Sequence, residues 1–211
     1  MMLRAVLFDF DGTLADSKEA FLSAYNQLAG RHHFQKMTLA SFDSLKSRSM
    51  KERCAALGIS FYKIPFLVGE LSKLYQNSLK SIPLMEGVRE MLQELSDTGY
   101  TLAILSSNEE KNIRSFLNMH GLDCFSTVMC SKKLFAKDRL MHRYLRRSQL
   151  TADQVVYIGD EERDILASRK CGIRVMWAAW GFDGIENVRR AGPDFIADRP
   201  ADVLRIVREL S

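Results

Sequence analysis

The chain has 211 residues, of which 46% are hydrophobic and 27% are charged. This length predicts one domain, or one domain carrying an insertion, and the composition excludes a disordered, collagen-like or coiled-coil chain. The 30 Lys and Arg residues exceed the 26 Asp and Glu residues by four. The densest basic cluster, at 139–147, is interpreted as a solvated helix face, so no nucleic-acid partner is expected.

The cysteines and the N-terminal segment predict where the protein resides. The four cysteines form neither a C-x-x-C pair nor a zinc-binding pattern, which favours a reducing compartment. Carboxylates appear too early for a signal peptide, and no apolar run approaches the length of a membrane span. We therefore expect a cytoplasmic protein without a membrane partner, as a monomer or a weak dimer.

The first part of the chain combines one strand with a long helical block. Ala5–Phe8 is an uninterrupted apolar run, which is typical of a central parallel strand. From about residue 22 to residue 82 the apolar spacing predicts helices, with a loop or short helix at 39–50.

Beyond Pro83, predicted strands and helices alternate. The predicted strands are Thr101–Leu105, Thr127–Met129, Val155–Ile158, Arg174–Trp177 and Phe195–Ile196. Alternation predicts an α/β fold, with a Rossmann-like parallel sheet and helices on both of its faces. The expected domains are an α/β core of residues 1–15 and 83–211 and a helical unit of residues 16–82, inserted after the first strand.

Polar residues follow three of the predicted strands. Residues 9–13 (DFDGT) follow the first, residues 106–108 (SSN) the next, and residues 159–164 (GDEERD) the strand at 155–158. Lys137 precedes a helix between the latter two groups. Because ligands of parallel sheets bind beyond the carboxyl ends of the strands, we expect these groups to converge.

The carboxylates of these groups predict a metal-dependent phosphoryl transfer. Clustered carboxylates repel one another, and Mg²⁺ relieves this while accepting oxygen ligands. Asp160 is the expected metal ligand, supported by Asp164 one helical turn later. Asp9, at the end of its strand, suits a nucleophile, and Asp11 can reach the same side to give or take a proton.

The remaining groups suit binding of a phosphate. Gly12 allows the loop to turn closely around an anion. The Ser106 hydroxyl is a donor, and the amides at Ser107 and Asn108 are predicted to open a helix, which favours a phosphate there. Lys137 adds a cation that neutralises developing negative charge.

These motifs resemble those of the haloacid dehalogenase superfamily. The stretch DFDGTL at 9–14, followed by Asp16 and Ser17, resembles the first motif of that family. The later motifs are matched, in order, by Ser106, by Lys137, and by Gly159-Asp160 with Asp164. The helical unit resembles the small mobile cap of the phosphoglycolate-phosphatase-like branch.

The resemblance implies a Mg²⁺-dependent phosphatase acting on a small phosphorylated metabolite. Asp9 would form an aspartyl phosphate, and Asp11 would protonate the leaving oxygen and then activate water. The implied metal ligands are the Asp9 carboxylate, the Asp11 backbone carbonyl and Asp160, oriented by Asp164. Ser106 and Lys137 would hold the phosphoryl group. Asp11 argues against dehalogenation, because dehalogenases of this superfamily lack an acid there.

Several alternatives stay open. The same motifs suit a phosphomutase, or a regulatory binding protein that has lost turnover. Many relatives have Lys-Pro-x-Pro around the third motif, whereas this chain has AKDR at 136–139, so Lys132 and Lys133 compete with Lys137. In the cap, Lys46 or Arg48 is predicted to contact an anionic group of the substrate, with a solvated loop as the alternative.

Overall fold

The computed structural model describes residues 2–131 and 136–210. The strands are β1 (Ala5–Phe8), β2 (Thr101–Ser106), β3 (Phe125–Cys130), β4 (Val155–Gly159), β5 (Arg174–Ala178) and β6 (Phe195–Ala197). The helices before β2 are α1 (Lys18–His32), α2 (Leu39–Leu45), α3 (Met50–Ala56), α4 (Ile64–Gln76) and α5 (Val88–Asp97). The later helices are α6 (Glu110–Met119), α7 (Lys137–Ser148), α8 (Glu162–Lys170), α9 (Ile185–Ala191) and α10 (Pro200–Glu209).

The six strands form one parallel sheet in the order β3-β2-β1-β4-β5-β6. All four residues of β1 are fully buried, because the strand has a neighbour on each side and a hydrophobic cluster on each face. Burial on both faces explains why this strand is a continuous apolar run. The α/β fold and its Rossmann-like sheet are confirmed.

The predicted loop or short helix at 39–50 is a helix, α2, followed by the start of α3. Each helix begins at a capping residue that a weak apolar pattern does not reveal. The Thr38 hydroxyl accepts a hydrogen bond from the Ser41 amide, and the Ser49 hydroxyl accepts one from the Glu52 amide. Such caps satisfy amides that the first helical turn leaves without partners.

Helices α1–α4, residues 18–76, form a compact group that we call the helical segment. It packs against the loops that follow β1, β2 and β5, at the carboxyl edge of the sheet. Within the described ranges, no single helix is long and apolar enough to cross a membrane. Met50–Ala56 and Phe61–Gln76, which meet at a bend of 105°, satisfy the length and composition criteria only as a pair.

Candidate active site

Three carboxylates meet beyond the carboxyl ends of the two central strands. Asp9 follows β1, Asp160 follows β4, and Asp164 lies in the first turn of α8. Each contributes an oxygen within 4.8 Å of the other two, and all three side chains are buried. Lys137, the first residue of α7, is also buried and forms ion pairs with Asp9 and Asp164. We call these four residues the carboxylate cluster.

Burial and mutual repulsion govern the charges of this cluster. Burial, followed by the negative charges of Glu161 and Asp9, raises the pKa of Asp160 well above its usual range. Burial also raises the pKa of Asp164 to about 7, against the opposing effect of the Lys137 ammonium. Burial alone would lower the pKa of Lys137, but the carboxylates of Asp164 and Asp9 outweigh it and raise that pKa.

The donor set of the cluster fits a divalent cation. Three carboxylates and one ammonium leave a formal charge of −2, and all the available ligand atoms are oxygens. Hard cations such as Mg²⁺ prefer oxygen ligands, and a +2 ion would compensate the charge that burial makes unfavourable. The residues present therefore suit the metal that the sequence resemblance implies.

Asp160 is held in one orientation by groups from two loops. Its carboxylate accepts hydrogen bonds from the Thr13 hydroxyl, at 2.9 Å, and from the Phe182 amide, at 2.7 Å. Gly12 has a φ of +75°, and a Cβ atom at Gly12 or at Gly181 would overlap the Asp160 carboxylate. Both glycines are therefore required by a close approach of backbone to this side chain.

The Asp11 side chain is not part of the carboxylate cluster and has hydrogen-bond partners of its own. One carboxylate oxygen accepts a hydrogen bond from the Tyr75 hydroxyl at 2.5 Å, and the other accepts one from the Asn108 side-chain amide at 2.8 Å. Burial raises the pKa of Asp11, and these two hydrogen bonds oppose the increase because they stabilise the carboxylate. Asp11 is thus placed as a proton donor or acceptor beside the cluster.

The loop after β2 differs from the prediction in one respect. Helix α6 begins at Glu110, so the amides of Ser107 and Asn108 do not open it. The Asn108 amide donates to the buried Ser106 hydroxyl at 3.1 Å, and its side-chain oxygen accepts from the Glu109 amide at 2.7 Å. These local bonds keep the chain in a loop for two more residues, and the Ser107 hydroxyl accepts from Arg163.

The candidate anion-binding residues Lys46, Arg48 and Lys137 lie in three different environments. Lys46 lines a cavity that extends from Asp11 into the helical segment, and its ammonium donates to the Gly181 carbonyl at 3.2 Å. Arg48 is exposed and is not among the residues that line this cavity. Lys137 lies in the carboxylate cluster, whereas Lys132 and Lys133 lie outside the described residues.

Several residues of the site were not identified from the sequence. Tyr75 belongs to an amphipathic stripe of α4. The stripe predicts that its ring packs inward, but it does not predict what its hydroxyl contacts. Arg53 of α3 forms a buried ion pair with Asp183, which lies 130 positions later in the loop after β5. No local pattern signals a contact at that separation.

A cavity of about 250 Å³ extends from Asp11 into the helical segment. Apolar side chains from all four helices line it, among them Leu28, Phe42, Met50 and Leu71. The polar lining residues include Asp11, Ser107 and Asn108 from the loops of the sheet and Lys46 and Arg53 from the helical segment. The site therefore joins a buried acidic cluster to an apolar chamber.

Comparison with known proteins places this site in a family context. The family model described as haloacid dehalogenase-like hydrolase matches residues 6–178. Phosphoglycolate phosphatase of Synechococcus elongatus is 30% identical, covering 99% of each chain, and that of Xanthomonas campestris is 32% identical, covering 95% of this chain and 91% of the relative. The structure of a predicted phosphatase from Clostridium acetobutylicum is 20% identical, with a TM-score of 0.85 over 99% of this chain and 100% of that one.

Proposed function

The chain belongs to the haloacid dehalogenase-like hydrolase family and is a phosphatase, and we propose that it hydrolyses small phosphate monoesters through an aspartyl phosphate on Asp9. The observation that carries this proposal is the carboxylate cluster, with Asp11 beside it. Asp9 is buried, and its Oδ1 accepts a hydrogen bond from the Phe10 amide at 2.7 Å, so its position is defined.

In the first step, an Asp9 carboxylate oxygen attacks phosphorus. The ester P–O bond breaks, and its electron pair goes to the leaving oxygen, which takes the proton of Asp11. The raised pKa of Asp11 supports this role, because a buried carboxyl group keeps a proton to a higher pH. Lys137 and the Ser106 hydroxyl hold the transferring phosphoryl group.

In the second step, Asp11 is a carboxylate and acts as a base. It accepts a proton from water, whose oxygen attacks phosphorus of the aspartyl phosphate. The bond between phosphorus and the Asp9 oxygen breaks, which releases inorganic phosphate and restores both carboxyl groups to their starting states.

A divalent cation, for which we propose Mg²⁺, would be held by Asp9, Asp160 and the Asp11 backbone carbonyl, with Asp164 supporting it. When bound, it supplies charge neutralisation for the anionic transferring group. We further propose that residues 16–82 form a cap over a core of residues 1–15 and 83–211, and that Gly12, Ser107, Asn108, Lys46 and Arg48 contribute to substrate binding. Cap closure would exclude bulk water during transfer.

The test is phosphate release from p-nitrophenyl phosphate by the wild-type protein and by Asp9→Asn, with and without Mg²⁺. We expect Asp9→Asn to lose about a thousandfold or more in kcat, because the amide is not a nucleophile. Asp97→Asn, which removes an exposed carboxylate from α5, is the matched control and keeps the wild-type rate.

Trapping the intermediate tests the covalent step directly. Acid quenching during turnover should leave one phosphoryl group on the peptide that contains Asp9, detected by mass spectrometry. Full activity of Asp9→Asn would exclude the mechanism. A phosphorylated protein that transfers to sugar hydroxyls faster than to water would indicate a mutase instead.

A further inference from the structure

The cavity that extends from Asp11 into the helical segment has an apolar part that the steps described above do not use. Its volume is about 250 Å³, and the apolar side chains that line it include Leu28, Leu67, Val68 and Leu71. An apolar cavity of about 150 Å³ is large enough to bind benzene. A chamber of this size can therefore receive an aryl group or an alkyl chain of several carbons.

One end of the cavity opens onto the group that protonates the leaving oxygen. Asp11, Tyr75 and Asn108 all line it. The buried Ser17 side chain lines it too and lies next to Asp11 and Tyr75. A leaving group whose oxygen is at Asp11 would therefore extend past Ser17 into the chamber.

The charged side chains around the cavity argue against an anionic leaving group. Three cations occur among the described lining residues, and each already has a partner. Arg53 pairs with Asp183, Arg163 pairs with Glu161, and Lys46 has the Gly181 carbonyl and, at 3.5 Å, Asp43. A carboxylate placed among the apolar lining side chains would lose water without gaining a counter-ion, which is unfavourable.

We infer that the preferred substrates are monoesters whose leaving alcohol carries an apolar aryl or alkyl body that fills this cavity. The inference rests on the proposed function and names its substrate class. Because a body buried in this way is held similarly before and during transfer, it should lower KM more than it raises kcat.

The test is a series of n-alkyl phosphates from ethyl to hexyl, with 2-phosphoglycolate as the anionic comparison. Each buried methylene should raise kcat/KM about threefold to fourfold until the cavity is full. Hexyl phosphate should exceed 2-phosphoglycolate by about tenfold or more. A series in which kcat/KM is flat or falls with chain length, or in which 2-phosphoglycolate is the best substrate, would overturn the inference.

Filling the cavity provides a second test. Val68→Phe places a larger side chain in the chamber and should reduce the ratio of kcat/KM for hexyl over ethyl phosphate about tenfold. Phe66→Leu changes a residue of the same helix that is 82% exposed and should leave this ratio at its wild-type value. An unchanged ratio in a folded Val68→Phe protein would contradict the inference.

Binding separates the failure of this inference from failure of the proposed function. Wild-type protein is titrated calorimetrically with ethylphosphonate and hexylphosphonate, which bind without being hydrolysed. Tighter binding of hexylphosphonate, by the same factor per methylene, supports the cavity as a binding site even if no ester is hydrolysed. Equal dissociation constants overturn the inference, even where Asp9-dependent hydrolysis upholds the proposed function.

Discussion

Asp11 receives its two hydrogen bonds from different parts of the molecule. Tyr75 reaches it from the helical segment, whereas Asn108 reaches it from the loop after β2. Burial raises the pKa of Asp11, and both donors oppose this increase. The proton affinity of the proposed acid therefore depends on a side chain of the helical segment, so docking of that segment and protonation of Asp11 are coupled.

Removing the Tyr75 hydroxyl tests this coupling. Tyr75→Phe takes away a donor that stabilises the Asp11 carboxylate, so the pKa of Asp11 should rise further. A hydrogen bond to a charged group contributes about 1.5–3 kcal/mol, so its loss should raise this pKa measurably. The measurement is the pH dependence of kcat/KM, in which the limb that belongs to Asp11 should move upward.

A matched variant distinguishes positioning from general damage. Tyr25→Phe removes a hydroxyl that donates to the Gln35 carbonyl within the helical segment, at a distance from Asp11. The pH limb should stay in place in this variant. If Tyr75→Phe lowers the rate without moving the limb, Tyr75 supports packing and does not tune Asp11.

The carboxylate cluster makes stability depend on pH in the metal-free protein. Asp164 has a pKa of about 7 when folded, above its ordinary value of 3.8, so the folded state binds more protons than the unfolded state between these values. The contribution of this group to the free energy of unfolding should therefore be greatest at and below about pH 4, and it should be lost as the pH rises to about 7. Urea titrations of the protein in EDTA measure this fall.

Added Mg²⁺ should abolish the fall, because a bound cation stabilises the ionised cluster and binds the folded state only. Asp164→Asn removes one of the repelling carboxylates and should flatten the dependence in EDTA. Stability that rises between pH 4 and pH 7 in the metal-free protein, and to the same degree in Asp164→Asn, would contradict this account of the cluster.

At the level of elements, one loop connects the helical segment to the carboxylate cluster. The loop after β5 donates the Phe182 amide to Asp160 and pairs Asp183 with Arg53 of α3. The Gly184 amide also donates to the Lys46 carbonyl at 3.0 Å. The residues between α2 and α3 are thereby positioned by the same loop that orients Asp160.

The Arg53–Asp183 pair should contribute strongly to stability. Both side chains are largely buried, and removing Arg53 leaves the Asp183 carboxylate without its counter-ion, although the Glu162 amide and the Asn187 side chain still donate to it. Arg53→Met should lower the free energy of unfolding by about 3 kcal/mol or more. Denaturant titration measures the loss. If Arg53→Met lowers the free energy of unfolding less in an Asp183→Asn background than in the wild-type protein, the two side chains interact.

An exposed pair in the helical segment is the control. Arg31 and Glu70 form an ion pair on the surface, with Arg31 more than half exposed. Because solvent screens such pairs, Arg31→Met should cost about 1 kcal/mol or less. Equal losses for Arg53→Met and Arg31→Met would mean that the buried pair contributes no more to stability than the exposed pair.

For the whole molecule, the helical segment and one face of the sheet share a hydrophobic cluster. The cluster extends from Val6 and Phe8 of β1 to Leu28 and Phe42 of the helical segment. Phe182 adds a contact between the two parts, with its ring centroid 5.7 Å from that of Phe42. Neither part buries its apolar surface fully without the other.

This continuity predicts a single cooperative unfolding transition. In differential scanning calorimetry, the ratio of the van't Hoff to the calorimetric enthalpy should be close to one. Phe182→Ala should lower the midpoint without splitting the transition. Two resolved transitions in the wild-type protein would show that the helical segment unfolds independently of the sheet.

Local patterns in the sequence determined which segments form the strands of the sheet and which positions supply the carboxylates at its edge. Continuous apolar runs identify strands that are buried on both faces, and the residues that follow such runs lie at one edge of a parallel sheet. The convergence of Asp9 and Asp160 follows from these two facts. The sequence did not predict that the amides of Ser107 and Asn108 lie outside α6, because the side-chain hydrogen bonds of Asn108 in this loop leave no local pattern.

Tertiary structure alone decided which side chains meet across the helical segment and where space remains. An amphipathic stripe shows that Tyr75 faces inward but not that its hydroxyl reaches Asp11. No local pattern indicates the pairing of Arg53 with Asp183. The cavity is the clearest case, because the same apolar residues can either fill a helical bundle or surround a void. Periodicity determines which face of a helix is buried, whereas the distances and angles between packed helices determine what that face contacts.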